Sequence, residues 1–209
     1  MNYSNPNKVY EFECGWFRAY DFDYEADELL NVLNKAEKEN DIQQYIKNNQ
    51  KWFIPASIFE CYDFGHHEAY IVPEQQLGHK YRADYMLIGR NSIGYNIVLV
   101  EFEDVNVDYK IKTYNAETEA VRKGIAQIND WKRWMNDNRM HFLRECIPAD
   151  FISNVPPWGI RYCLVVSRRE KMDNVANDMR GQQSEHDPSL KIITYDRLVD
   201  NVRRLSNGF

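Results

Sequence analysis

Tyr81-Arg82-Ala83-Asp84-Tyr85-Met86-Leu87-Ile88-Gly89, the loop Arg90-Asn91-Ser92-Ile93-Gly94, and Asn96-Ile97-Val98-Leu99-Val100-Glu101-Phe102-Glu103-Asp104 together decide the fold. Two apolar runs joined by a short polar loop with glycine read as a β-hairpin. Successive side chains on a strand point to opposite faces. Asp84 is therefore expected on the face of Met86 and Ile88, and Glu101 and Glu103 on the face of Ile97 and Leu99. Both faces are apolar further back, so these read as interior strands that carry acids at one end. A carboxylate taken out of water is costly unless a positive charge compensates it. For converging carboxylates a divalent cation with hard oxygen ligands is the economical compensation.

Downstream, residues 105–114 read as a polar loop, followed by a helix from Asn115 to about Asn136. Val121, Ile125, Ile128 and Met135 form its apolar stripe. Gln127 lies at the edge of that stripe, with Lys123 one turn earlier. Beyond a loop with Pro148, Pro156 and Pro157, residues 160–166 read as a buried strand and 170–182 as a polar helix. Residues 191–195 read as a last short strand, and Asp196 or Thr194 caps a final helix. Upstream, residues 7–20 suggest a strand and turn, and 23–50 a helical region broken near Asn40 with Asp41 as N-cap. Trp52-Phe53-Ile54-Pro55 ends that helical pattern. Ala69-Tyr70-Ile71-Val72 reads as a short strand ended by Pro73.

Composition narrows the class. The 209 residues, 44% hydrophobic and 14% aromatic, are enough for one sizeable core, and the 28% charged share is globular. A net charge of −6 argues against a generally basic coat, although 26 Lys and Arg allow a local basic groove. The long uncharged run of a membrane span is missing, and residues 1–6 lack the layout of a signal peptide. Cys14, Cys61, Cys146 and Cys163 form no CxxC pair and read as reduced thiols of a cytoplasmic protein.

Asp84 and Glu101, on adjacent strands of one hairpin, can reach a common point at the strand ends. Such oxygen ligands suit Mg²⁺ or Mn²⁺. A cation held there polarises a phosphodiester and acidifies a bound water. Asp84 followed by Glu101-Phe102-Glu103 resembles the PD-(D/E)xK nuclease motif with its lysine replaced. Gln127-Ile128-Asn129-Asp130-Trp131 resembles the Gln-containing helix motif of several branches of that superfamily. The flanks 41–46 (Asp41-Ile42-Gln43-Gln44-Tyr45-Ile46), 77–84 (Leu77-Gly78-His79-Lys80-Tyr81-Arg82-Ala83-Asp84) and 193–198 (Ile193-Thr194-Tyr195-Asp196-Arg197-Leu198) resemble the Shedu family of anti-phage defence nucleases, over roughly residues 40–206. The resemblance implies an α/β restriction-endonuclease-like core, a mixed β-sheet flanked by helices in the order αβββαβ. It also implies a metal-dependent DNA endonuclease, oligomeric, in bacterial immunity, with DNA as partner. Asp84, Glu101 and Gln127 carry over directly.

Glu103 stands where that motif expects lysine, and a carboxylate cannot do a cation's work. Three readings stay open. Lys123 supplies the charge from the helix; Glu103 is a further metal ligand; or the site is inactive and the module binds nucleic acid or a protein partner. Plainer readings stand beside these. Asp84 pairs with Arg82 or Lys80, Gln127 satisfies a backbone group, and Lys123 is solvated. His66 and His67 face solvent rather than zinc, and Trp131 and Trp134 pack in the core rather than stack on bases. Arg161, Arg168, Arg169, Lys171, Lys132, Arg133, Arg139 and Arg144 offer either a phosphate-tracking surface or a solvated face. The chain is divided into an N-terminal extension over 1–40 and a nuclease-like domain over 41–209.

Overall fold

The structure, a computed structural model, describes residues 9–11, 20–65, 67–146 and 155–207. Its centre is a six-stranded mixed sheet in the order β1-β2-β3-β4-β5-β6, with strands Tyr10–Glu11, Glu68–Leu77, Tyr81–Arg90, Tyr95–Phe102, Ile160–Val165 and Leu190–Ile193. The first four pair antiparallel, and β4, β5 and β6 run parallel. The expected hairpin is β3–β4, with Tyr85 opposite Val100 and Ile88 opposite Ile97. Every residue of β4 is buried, as befits a strand covered on both faces.

Helices cover the two faces. α1 (Phe22–Lys35), α2 (Glu39–Asn48), α3 (Phe53–Ala56) and α6 (Tyr195–Arg204) share one core with Tyr85, Leu87, Val98, Val100, Phe102 and Val165. α4 (Glu119–His141) and α5 (Asn174–His186) share the other with Met86, Ile88, Ile97, Leu99 and Leu164. Local chemistry sets the helix starts. Asp21 caps α1 by accepting from Tyr24 N at 3.2 Å, and Asp173 caps α5 by accepting from Ala176 N at 2.8 Å. Ala26, Leu29 and Leu33 then bury one stripe of α1, which packs along α6.

Several boundaries differ from the expectation. α1 and α2 break at 36–38, not near Asn40. Lys38 is the N-cap of α2, and Asp41, three residues on, accepts from Lys38 N at 3.0 Å and Glu37 N at 2.9 Å. Pro55 lies within α3 instead of ending the helical region, and a 3₁₀ turn, Ser57–Cys61, follows it. Pro73 does not end β2; it pairs with Tyr85, and the strand runs on to Leu77. The ladder skips only Glu74, whose φ is +53°, and the residue across from it, Asp84. Strand alternation slips there: Ala83 joins the core of Met86 and Ile88, while Tyr85 joins the opposite core. Asp84 thus sits at a distorted step, between an Ala83 and a Tyr85 that enter opposite cores. Thr118, not Asn115, holds the N-cap position of α4, without a side-chain cap bond, and the helix runs to His141.

Cys61 and Cys163 are free thiols. Cys14 and His66 lie outside the described residues. No helix among the described residues is long and apolar enough to cross a membrane.

Candidate functional site

The acids gather where β3 and β4 end. β4 carries Glu101 and, one residue past its end, Glu103 toward α4, on the side of Ile97 and Leu99 as their alternation requires. Both are almost wholly withdrawn from solvent, at 6% and 2% exposure. Asp84 is brought to them across the hairpin, where its Oδ2 accepts from Phe102 N at 2.8 Å. The β3–β4 ladder ends at the Tyr85–Val100 pair, and just beyond it the Asp84 side chain takes the backbone N–H at the end of β4.

α4 supplies the groups that answer these acids. Gln127 Nε2 donates to Glu101 Oε1 at 2.5 Å. Lys123 Nζ donates to Glu103 Oε2 at 3.0 Å and lies at the same distance from Oε1. Lys123 is 61% exposed while Glu103 is buried, so the ammonium reaches in from solvent. Gly124 permits the close approach. A Cβ there would lie 2.5 Å from Leu164 Cδ1 and 2.9 Å from Glu103 Cγ. Tyr195, at the start of α6, fixes the strand end from the other face by donating to Glu103 O at 2.7 Å.

Two further groups, whose role the sequence did not single out, come from α2. Glu39 is half-buried, and its Oε1 accepts from Gln43 Nε2 at 2.7 Å. A cavity of about 190 Å³ opens beside Asp84, lined by Glu39, Gln43, Glu74, Arg82 and Tyr85 among others. The sequence signal for Glu39 is slight. An acid in the first turn of a helix is ordinary, because it suits the helix dipole. Only the polar pair Glu39 and Gln43, one turn apart beside the apolar Ile42 and Ile46, marks that face.

The electrostatics are those of too many acids in too little water. Burial, then the charge of Asp84, pushes the Glu101 carboxyl up to about 10. Burial, then again Asp84, pushes Glu39 up to about 7. Asp84 is raised by burial, with Gln43 and the Phe102 N–H pulling it back. Glu103 is raised by burial against the pull of Lys123. Burial opposes the Lys123 ammonium, but Glu103 outweighs it and its pKa ends raised. Glu101 Oε2 is buried without a hydrogen-bond partner.

That unpartnered oxygen and the surplus of carboxylates over Lys123 fit a hard divalent cation. The fit is in the kind of donor. Among the described residues, no three His, Cys, Asp or Glu side chains stand ready to hold a metal between them. Mg²⁺ does not require such a cage, since it keeps several waters and is commonly bound by one or two carboxylates plus substrate phosphate.

Four of the eight basic residues named above are held by acids. Arg168 is 4% exposed and forms a two-pronged pair with Asp196, at 3.0 Å for each bond. Lys132 pairs with Asp187, Arg169 with Asp200 and Arg133 with Asp130. Trp131 is buried, and Trp134 packs edge-on against Phe142, so both tryptophans serve the core. His67 is exposed.

Compared with known families, residues 36–199 match the family described as Shedu protein SduA, C-terminal. No curated protein matches the chain.

Proposed function

The chain belongs to the Shedu SduA C-terminal family, and from that premise we propose that it is a metal-dependent DNA endonuclease acting in anti-phage defence on a restriction-endonuclease-like, PD-(D/E)xK core. The observation that carries the reading is the convergence of Asp84, Glu101 and Gln127 at one strand end, with Glu101 Oε2 left unpartnered. Asp84 and Glu101 would hold Mg²⁺ or Mn²⁺. The bound cation supplies Lewis acidity toward the phosphodiester and a more acidic water. Gln127 fixes the rotamer of Glu101 through its bond to Oε1, which leaves Oε2 for the ligand. Lys123, held by Glu103, brings an ammonium to these acids in the role of the motif lysine. It offsets negative charge as the scissile phosphate enters and as charge builds on its oxygens. The extension over 1–40 and nuclease-like domain over 41–209, assembly into a homo-oligomer and a cytoplasmic setting belong to the same proposal.

A second reading rests on one observation: Glu103 neutralises Lys123, so the pair brings no net positive charge to the site. On that reading the fold binds nucleic acid or a protein partner without cutting. Cleavage of supercoiled plasmid and single-stranded DNA, with Mg²⁺, Mn²⁺ or EDTA, separates the two. Wild type, Asp84→Ala and Glu103→Lys are compared. Metal-dependent cleavage by the wild type that vanishes in Asp84→Ala is the expected result. An inactive wild type beside an active Glu103→Lys variant would establish the non-catalytic reading.

A further inference from the structure

The cavity of about 190 Å³ beside Asp84 lies between α2 and the β2–β3 pair, with Asn40, Gln43 and Gln44 on one wall and Glu74 and Arg82 on the other. It is smaller than the roughly 300–1,000 Å³ of pockets for drug-sized ligands, and suits a single ring system. Its charges do not suit an anion. Glu39, Glu74 and Asp84 outnumber Lys47 and Arg82, and both cations already answer Glu74, at 3.9 and 3.6 Å. What the walls offer is neutral hydrogen bonding from three side-chain amides. Two independent observations mark a built site. Trp52 lines the cavity at 8% exposure, and its Nε1 is buried without a hydrogen-bond partner among the described residues. A buried indole N–H normally finds an acceptor. Glu74 holds a φ of +53°, a strained value for a residue with a Cβ, where the β2–β3 ladder skips a step. Such strain clusters at ligand clamps.

We propose that this cavity receives one unstacked nucleobase, adenine, from the strand that is cut. The inference rests on the proposed function, which brings a phosphate to Asp84; the base of an adjoining nucleotide then enters between α2 and the sheet. A side-chain amide carries a donor beside an acceptor and so matches the adenine edge, whereas guanine is read by Arg or Lys. Here Arg82 and Lys47 answer Glu74, and Gln43 Nε2 donates to Glu39 at 2.7 Å. Asn40 and Gln44, exposed one turn apart on α2, are the readers. Trp52 Nε1–H is the donor for a ring nitrogen. A base leaves its stack at least cost in a single strand, so unpaired DNA is the favoured substrate.

The test is cleavage of single-stranded DNA of mixed sequence by the full chain in Mn²⁺, with the product ends sequenced. Adenine should be enriched roughly 10-fold at one fixed position beside the cut, the discrimination expected of one amide–adenine pair. An abasic nucleotide at that position should slow cleavage by a similar factor. The double variant Asn40→Ala/Gln44→Ala, at two exposed positions, should lose the enrichment while melting as the wild type does. Trp52→Phe should flatten it too, and the double variant decides alone if that core change unfolds the chain. Gln76→Ala, an exposed amide of β2 outside the cavity, should keep the enrichment. Metal-dependent cleavage without adenine enrichment at any position overturns this inference and leaves the proposed function standing. So does undiminished enrichment in the double variant, an abasic strand cut as fast as the intact one, or an equal loss in Gln76→Ala. A wild type that cuts no DNA in Mn²⁺ overturns both.

Discussion

In EDTA, the protein should become less stable as pH rises through neutrality, and Glu101→Gln should remove much of that loss. An acid whose folded pKa is raised holds its proton more tightly folded than unfolded. Stability then falls with pH between the unfolded and folded values. For Glu101 that window runs from 4.5 to about 10 and spans all of pH 5.5–7.5. Two pH units at about 1.4 kcal/mol each set a ceiling of roughly 3 kcal/mol. Glu39 contributes in the same direction up to about 7, reduced by solvent screening because it is half-exposed. The carboxylates titrate as one coupled set, so the expected loss is about 1–3 kcal/mol. Acids held low by hydrogen bonds or ion pairs, such as Asp196 and Asp173, act only at or below their ordinary values and leave this window alone. The assay is urea unfolding at pH 5.5, 6.5 and 7.5 in EDTA, for wild type and Glu101→Gln. The difference between the two isolates Glu101 from any histidine that titrates. Saturating Mg²⁺ at pH 7.5 should restore about 2.7 kcal/mol when present at 100 times its Kd. Wild-type stability that rises from pH 5.5 to 7.5 in EDTA, or a Glu101→Gln variant less stable than wild type at pH 7.5, would refute the reasoning.

Gly124→Ala should destabilise despite alanine's better helix propensity. Overpacking against Leu164 and Glu103 costs about 1–3 kcal/mol against a gain of about 1 kcal/mol. Thermal melting reads the sign, and a higher melting temperature would mean that α4 shifts freely over β5. Arg168→Met should cost about 3–5 kcal/mol in urea unfolding, because it leaves Asp196 half-buried without its partner. A loss under 1 kcal/mol would show that the pair is readily solvated. Lys123→Ala should lower turnover in the plasmid assay more than it lowers DNA affinity by filter binding; equal losses would assign Lys123 to binding alone.

The hairpin was legible because its apolar runs are long and its loop short, so register followed from the alternation. That places Glu101 and Glu103 on the face of Ile97 and Leu99, where α4 meets them. At Asp84 the same rule meets a broken ladder. Alternation assumes an unbroken ladder, and the skipped Glu74–Asp84 step shifts the parity of β3 beyond it. Nothing local in the sequence signals a positive φ at a glutamate. Pro73 misled for the opposite reason: a proline in a run normally demotes a strand, yet here it pairs and β2 continues. Asn115 drew the cap assignment as a strong capping residue, whereas the helix starts at Thr118, whose Oγ1 donates to Asp108 O and Tyr109 O in the preceding loop. Glu39 and Tyr195 reach the site only through tertiary packing.

On the proposed function, the glutamate at 103 moves the cationic group from one element of the fold to another. A lysine on the strand end would bring one positive charge from β4. Here Glu103 occupies that position and Lys123 answers it from α4, so the pair is neutral and the ammonium enters from solvent instead of from the sheet. The site is left one charge more negative than the motif it resembles. That surplus favours a divalent cation and disfavours a phosphate until the cation is bound. On the proposed function, affinity for metal and affinity for DNA would thereby be linked. The link passes through α4, since Gly124 sets the distance of the helix from Glu103, and Gln127 on the next turn holds Glu101. Whatever moves α4 moves Lys123, whose ammonium is bonded to Glu103, and Gln127, the partner of Glu101, together.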